Sequence, residues 1–300
     1  MPTLDASNTE LQGTFTGTAK QKGASMPTID ITDGTLSGKF TGSITYDETT
    51  PEPIPPDPVP PDTGGPTGGR ITEFTATPQQ NFKIDGVGCW VMTAGKSWSM
   101  QKIDDYTLRF EIRPGENFGL IDSPGSVDRS EYERRPRYHD NVTTKVAFRV
   151  LLEPGPANNA EWFVVAEMHN DDEQLPQGGH TSPPWVLELE GEKFRIVARW
   201  CRPGGNPSNT ANPNDLQQSV LWTQPANLVR DRWYVFEFEA KPNQTSGVLK
   251  VKMDGQQICN YTGPLGYGCD VYWLNGLYRD SGPSSNFAAK FKNLTVEPLA

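Results

Sequence analysis

From Ile71 onward the chain alternates apolar and polar residues with a period of two. Tyr106, Leu108, Phe110 and Ile112 alternate with Thr107, Arg109, Glu111 and Arg113, and Val146, Phe148, Val150 and Leu152 form a second apolar row. Trp162, Val164, Ala166 and Met168 alternate with Phe163, Val165, Glu167 and His169. Successive side chains of a strand point to opposite faces, so each pattern predicts a strand that buries one face. On this rule Glu167 and His169 point away from the face of Trp162 and Val164. Further strands are expected near Trp185–Glu190, Phe194–Trp200, Trp233–Glu239, Val248–Met253 and Phe287–Val296. Asp254-Gly255 marks a type I′ hairpin. No amphipathic stretch at helical spacing exceeds about three turns. Many alternating strands without intervening helices predict an all-β fold, an antiparallel sandwich or jelly roll, over residues 71–300.

The first 45 residues follow a different pattern. Met1-Pro2-Thr3-Leu4-Asp5 recurs as Met26-Pro27-Thr28-Ile29-Asp30, and Leu11, Gly13, Phe15, Thr16 and Gly17 recur as Leu36, Gly38, Phe40, Thr41 and Gly42, always 25 positions on. Each copy holds two short Thr-rich apolar stretches separated by turn residues, which reads as a β-hairpin. One such hairpin cannot bury a core alone. Residues 1–45 are therefore expected to form a two-copy β module that packs on itself, on another subunit or on a larger particle. Residues 46–70 form a linker. Its proline run, from Pro51 to Pro61, favours an extended polyproline rod, and Gly64-Gly65-Pro66-Thr67-Gly68-Gly69 supplies a flexible end.

Composition narrows the possible partners. The 29 Gly, 27 Pro and 8 Trp suit short strands and tight turns. The net charge of −10 argues against nucleic acid, which needs a basic footprint. No apolar run approaches the roughly 20 residues that span a bilayer. The first residues lack the basic and apolar regions of a secretory signal. An extracellular location or a particle surface, such as a virion freed by lysis, is then the expected setting. Cys89, Cys201, Cys259 and Cys269 are too scattered for a disulfide scaffold or a zinc site. Cys259 and Cys269 could close a short loop, or remain as buried thiols.

Three segments carry candidate chemistry. Asp128 to His139 places four arginines, among them Arg129 and Arg134, in an acidic protein. A guanidinium suits a carboxylate, although Glu131 and Glu133 could equally neutralise two of them on a surface loop. His169 ends a predicted strand and is followed by the polar run Asn170-Asp171-Asp172-Glu173-Gln174. It is a candidate proton-transfer group; the acidic run lacks the regular spacing of a calcium loop, and no cofactor is otherwise expected. Tyr272 to Arg279 offers aromatic faces for sugar rings and phenols for proton transfer, with Trp273 expected in the core.

In this order the segments resemble the jelly-roll polysaccharide lyases of the heparin-lyase and glucuronan-lyase kind, which have a concanavalin-A-like sandwich. The resemblance runs through Phe110-Glu111-Ile112-Arg113-Pro114-Gly115, Arg129-Ser130-Glu131, Ala166-Glu167-Met168-His169 and Trp185-Val186-Leu187-Glu188-Leu189. It continues in Arg232-Trp233-Tyr234, Gly247 to Val251, Met253-Asp254-Gly255 and Gly276-Leu277-Tyr278-Arg279, and leaves out the repeats. It implies β-elimination at a uronic acid in an anionic polysaccharide. By resemblance Arg129 faces the substrate carboxylate, Glu131 holds Arg129, His169 is the base and Tyr278 the acid. Arg279, Arg134 and Tyr272 would bind the chain. One departure stands out: the family often has a lysine two residues before the glycine aligned with Gly276, and here that residue is Leu274. The departure leaves room for a non-catalytic glycan-binding decoration protein. A glycoside hydrolase would instead need two carboxylates across a cleft, for which Glu167 and Glu188 are available.

Overall fold

The computed structural model describes residues 66–175, 181–208 and 215–299, together with the backbone of residues 31–32 and 35–36. The chain divides into two compact units, Met1–Pro58 and Val59–Ala300. In the first, β1 (Ile31–Thr32) pairs with β2 (Thr35–Leu36) antiparallel, Ile31 opposite Leu36. The first repeat and the proline run lie outside the described residues.

The second unit is built from strands throughout. They are β3 (Ile71–Glu73), β4 (Asn81–Ile84), β5 (Val87–Thr93), β6 (Met100–Lys102), β7 (Thr107–Ile112), β8 (Val127–Arg134), β9 (Thr144–Leu152) and β10 (Phe163–Asn170). After them come β11 (Trp185–Glu190), β12 (Lys193–Cys201), β13 (Leu216–Thr223), β14 (Trp233–Lys241), β15 (Asn243–Met253), β16 (Gln256–Leu265), β17 (Val271–Asp280) and β18 (Phe287–Pro298). They form two antiparallel sheets, ordered β13-β12-β11-β10-β17-β8-β5-β4-β3 and β16-β15-β14-β9-β18-β7-β6. The fold is an all-β jelly-roll sandwich. Asp254 and Gly255 both have positive φ, 52° and 77°, the geometry of a type I′ turn, and Asp85 and Gly86 repeat it between β4 and β5.

One core lies between the sheets, and aromatic rings stitch it across. Trp185 of β11 stacks on Phe238 of β14 at 4.7 Å, and Trp273 of β17 meets Phe148 of β9 at 5.7 Å. Trp185, Trp273 and Phe148 are fully buried, and each such side chain contributes roughly 2–3 kcal/mol of gross burial free energy. The four cysteines are free and buried. Cys259 belongs to the main core and Cys269 to a satellite cluster with Leu175, Cys201 and Tyr267, so no disulfide joins them.

Two features depart from simple alternation. The arginine-rich segment begins as β8, a strand buried along its whole length because β17 and β5 flank it in the larger sheet, and continues past its end into Arg135 and Arg137. In β10 a bulge at Val165 breaks the register against both neighbours between Val164 and Ala166. Phe163, Val165, Ala166 and Met168 all enter the core, whereas Val164 joins Val186 and Val197 in a separate cluster with Trp162 and Tyr278 packed against it. The extra residue shifts the phase of the strand. Glu167 and His169 therefore share a face with Trp162 and Val164, contrary to the expected alternation. Asn275 of β17 donates a hydrogen bond from its buried amide to the Val165 carbonyl, 3.3 Å away, and so pairs the acceptor the bulge frees.

Candidate active site

The outer face of the nine-stranded sheet carries the chemistry. On β17 the side chains of Tyr272, Leu274 and Tyr278 point outward, with Gly276 between the last two, while Trp273 and Leu277 point into the core. Gly276 lies opposite Glu131 of β8. Its φ is +147°, and a Cβ there would come within 2.4 Å of the Glu131 Cα and 2.5 Å of the Ser130 carbonyl. Only glycine fits, and it leaves a gap in the floor between β8 and β10.

Arg129 of β8 borders that gap. Its Nε and Nη2 donate to the two Asp122 carboxylate oxygens at 2.8 and 3.0 Å, and its Nη1 donates to Glu131. Asp122 sits in the loop between β7 and β8, where its carboxylate also accepts the Phe118 amide at 3.0 Å. The guanidinium carbon lies 3.7 Å from the centre of the Tyr278 ring. Three of its five N–H groups are committed and its plane is fixed. Arg129 stays charged, because Glu131 and Asp122 outweigh its burial. Burial is the main cause that pushes the Tyr278 hydroxyl up to about 12, so it is a neutral phenol at ordinary pH.

Glu131 and Glu167 are both almost wholly buried. Glu167 lies opposite Leu274 in the register, two residues along β17 from Gly276. Among the described residues no group donates a hydrogen bond to the Glu167 carboxyl. Burial first, with repulsion between carboxylates added, raises Glu131 to about 8 and Glu167 to about 7; Arg129 opposes both shifts. The Val164, Val186 and Val197 cluster lies on this same face and lowers its polarity.

His169 stands opposite Tyr272, five residues along β10 from Val164, the residue opposite Tyr278. Its Nδ1 is 2.9 Å from the Asn170 carbonyl, and its ring stacks on Tyr272 at 5.4 Å. A carbonyl only accepts, so in the neutral ring the proton sits on Nδ1 and the lone pair on Nε2. Arg137 covers the other side of Tyr272, 4.0 Å from the ring centre, and pairs with Glu133 at 3.0 Å. Six residues separate Tyr272 from Tyr278, about 20 Å of strand. The phenol and the imidazole thus flank a floor made of Leu274, Glu167 and Gly276.

The face brings together Arg129, Glu131, Tyr278, Tyr272 and His169 of the residues singled out in the sequence. It does not bring Arg134 or Arg279. Alternation from Arg129 turns Arg134 to the opposite face of β8, toward a cavity of about 340 Å³ lined by Val87, Tyr138, Val296 and Pro298. Arg279 also points inward. It is 1% exposed, donates from Nε and Nη2 to one Asp128 oxygen at 2.9 and 2.8 Å, and donates from Nη2 to the Ser285 carbonyl at 2.7 Å. It is an internal strut, with no access to a polymer. Leu274, where a lysine was expected, packs with Met92 and Phe118 beside Trp90 and Tyr272. Asp122, Arg137 and Gly276 were not named as site residues from the sequence; Gly276 lay within a motif and Arg137 within the arginine-rich segment, and nothing local marks Asp122. Glu188, the possible hydrolase partner of Glu167, is held by Arg195 at 2.7 Å. Among the described residues no cluster of three or more His, Cys, Asp or Glu could hold a metal ion. In the acidic run Asp172 binds Asn170 and the amide and hydroxyl of Thr181 instead.

Residues 97–292 match the family model described as polysaccharide lyase. Among solved structures, the chain is similar to the endo-β-1,4-glucuronan lyase of the fungus Trichoderma reesei, with a TM-score of 0.56 and 12% identity over 77% of this chain and 94% of that one. An alginate lyase of polysaccharide lyase family 7 gives a TM-score of 0.47 and 14% identity over 68% of this chain and 84% of that one. The alginate lyase from Corynebacterium sp. gives 0.45 and 14% over 68% and 82%. At these identities the likeness concerns the fold. No curated protein sequence matches the chain.

Proposed function

The chain belongs to the polysaccharide lyase family and is a carbon–oxygen lyase, and we propose that it cleaves a uronic-acid-containing polysaccharide by β-elimination. The observation that supports this reading is one sheet face carrying a fixed guanidinium, a neutral phenol and an imidazole with a free Nε2 around a floor that lacks a side chain at Gly276. A uronate C5–H is weakly acidic, and its removal sends charge onto the attached carboxylate. Arg129 supplies positive charge for that carboxylate, and Glu131 with Asp122 keeps the guanidinium in place. His169 Nε2 accepts the C5 proton as the C4=C5 double bond forms. The C4–O bond breaks with its electron pair, and the Tyr278 hydroxyl gives the leaving oxygen its proton. This requires the phenol and the imidazole, about 20 Å apart in strand position, both to reach inward over Glu167 and Gly276. Tyr272, with His169 on one side of its ring and Arg137 on the other, holds the imidazole in place and, against the expectation from sequence, has no ring face left for a sugar.

Incubation with a panel of polyuronates tests the reading. Cleavage by elimination leaves unsaturated, ultraviolet-absorbing ends; no absorbance on any polyuronate, with binding retained, refutes it. His169→Ala and Tyr278→Phe are each expected to lower kcat by about 10²–10⁴-fold. Full activity in His169→Ala would remove it from the mechanism.

The repeats of residues 1–45 serve in this reading as an attachment module, and the proline-rich linker holds the lyase away from its anchor, outside the cell or on a particle surface. The size argument supports it, since one hairpin cannot fold alone. A full-length chain that stays monomeric and binds no particle would count against it.

A further inference from the structure

Glu167 is a buried ionisable group on the floor of the face that the elimination just described leaves unused. It is 3% exposed, and no described residue donates a hydrogen bond to it. A carboxylate in that position is costly, because burial removes its water and nothing replaces the lost hydrogen bonds. A carboxylic acid there is better tolerated, and it has an O–H to offer.

The charges around it point the same way. Glu188 from β11 and Arg199 from β12 act on it from one side. From β17 come the phenols of Tyr272 and Tyr278, and from β8 come Arg129, Glu131 and Glu133. His169 follows on its own strand. Glu188 is matched by Arg195 and Glu133 by Arg135 and Arg137. That leaves Arg129 facing Asp122, Glu131 and Glu167. Among the described residues Arg199 binds only the uncharged Gln218 and Pro183 carbonyl, so with all three ionised the two guanidiniums leave a surplus of one negative charge before any substrate arrives. A uronate would add a second. Asp122 holds the guanidinium by two hydrogen bonds and Glu131 touches it, whereas Glu167 has no cation in contact. Two such groups titrate as a pair, and the contact with Arg129 decides which carries the charge.

We propose that Glu167 works as a neutral carboxylic acid whose O–H donates a hydrogen bond to the uronate carboxylate of the substrate, making it a further catalytic residue and a determinant of acid-sugar specificity. The inference rests on the uronate reading of the function. The bond strengthens as C5 loses its proton and charge gathers on the carboxylate oxygens, which is where a donor in a dry site has most effect. Atoms balance without transfer: Glu167 keeps its proton throughout, and the C5 proton goes to His169. A neutral donor next to Arg129 also explains how an acidic face accepts an anionic polymer.

The two carboxamide and methyl replacements separate this role from the others. Glu167→Gln keeps a neutral N–H donor of the same length, and its activity on the cleaved polyuronate is expected to stay within about tenfold of wild type. Glu167→Ala removes the donor and is expected to cost about 10²–10³-fold in kcat/KM. Wild-type kcat/KM should fall as pH rises above about 7, where Glu167 loses its proton, and Glu167→Gln should lack that fall. Infrared difference spectra at about pH 6 should show a protonated carboxyl in wild type that is missing from Glu167→Gln. A Glu167→Gln variant as inactive as Glu167→Ala would make the group an ionised base and overturn the proposal. An unaltered alkaline fall in that variant, or no protonated carboxyl lost from its spectrum, would overturn it too. If wild type cleaves no polyuronate, the functional reading fails separately. The infrared band, with glucuronate-oligosaccharide affinity that weakens with pH in wild type but not in Glu167→Gln, would then still establish the neutral donor.

Discussion

Replacing Arg279 with methionine separates an internal strut from a substrate contact. The side chain is 1% exposed and Asp128 is 0% exposed, and the two meet between the sheets at 2.8–2.9 Å. Asp128 also accepts the Gly115 amide at 2.7 Å, so the pair ties β17 to β8 and to the loop after β7. Burial raises the Asp128 pKa even against Arg279 and that amide, so the pair does not fully offset its own desolvation. Removing one partner strands the other charge, at a cost of about 3–5 kcal/mol. For a domain of this size that lowers Tm by roughly 10 °C. Asp128→Asn should cost a similar amount. The double variant Asp128→Asn/Arg279→Met should recover about 2 kcal/mol or more relative to the sum, because no uncompensated charge remains. Urea denaturation of the four proteins gives the cycle, and KM of the folded variants gives the second readout. A stability loss below about 1 kcal/mol together with a KM raised tenfold would refute this reasoning and return Arg279 to the substrate.

Gly276→Ala forces a Cβ against Glu131 and Ser130 at a φ of +147° and should cost about 3 kcal/mol or more, with kcat/KM falling alongside; unchanged urea midpoints would show that the gap is not needed. Glu131 and Glu167 both have folded-state pKa values above the ordinary carboxylate range, so folding takes up protons. The stability they allow is therefore full below about pH 4.5 and lost as pH rises through 7 to 8. Tm should be higher at about pH 6 than at about pH 8.5, with a smaller difference in Glu167→Gln; a Tm that rises over this range would contradict the assignment. Burial pushes the thiols of Cys89 and Cys269 up to about 12 and that of Cys259 to about 11, so iodoacetamide at mildly alkaline pH should label the native protein slowly and the urea-unfolded chain at all four cysteines.

The sandwich was legible because its strands alternate. Trp185–Glu190 is a strand at the bounds read from the sequence, and the apolar row from Val146 to Leu152 lies in β9. β8 was read as a possible charged surface loop, since four arginines within twelve residues resemble solvated sequence. Tertiary context decided otherwise: alternate residues of β8 face opposite ways, Asp122 from the preceding loop pairs with Arg129, and Arg279 of β17 pairs with Asp128. Composition cannot show that Arg129 meets Asp122, because the loop from Arg113 to Ser126 has no periodicity to read, nor that Arg279 meets Asp128, its partner in the pairing of β17 with β8. For the same reason a list of basic residues could not tell Arg129 from Arg134. Leu274 shows the opposite limit. Its identity was plain, but its meaning depends on Met92 and Phe118, which only the fold places beside it.

The bulge at Val165 acts as a reading-frame marker for the strand that carries the site. Substitutions before it alter single side chains, but deleting one residue there would restore strict alternation. Removing Val165 would leave Glu167 and His169 on the outer face and Met168 in the core, whereas straightening the bulge with every residue kept would turn Glu167 and His169 inward and Met168 outward. A one-residue deletion beyond the bulge flips every face that follows it and should be far less tolerated than deletion of Val165 itself, so a deletion scan of this strand would find its mildest loss of folding at Val165 or Ala166. Alignments of related chains built on apolar alternation alone would slip by one at this point and mismatch the carboxyl and imidazole that follow. Anyone grafting a new specificity onto this scaffold should keep Val165 and Asn275 together as one unit.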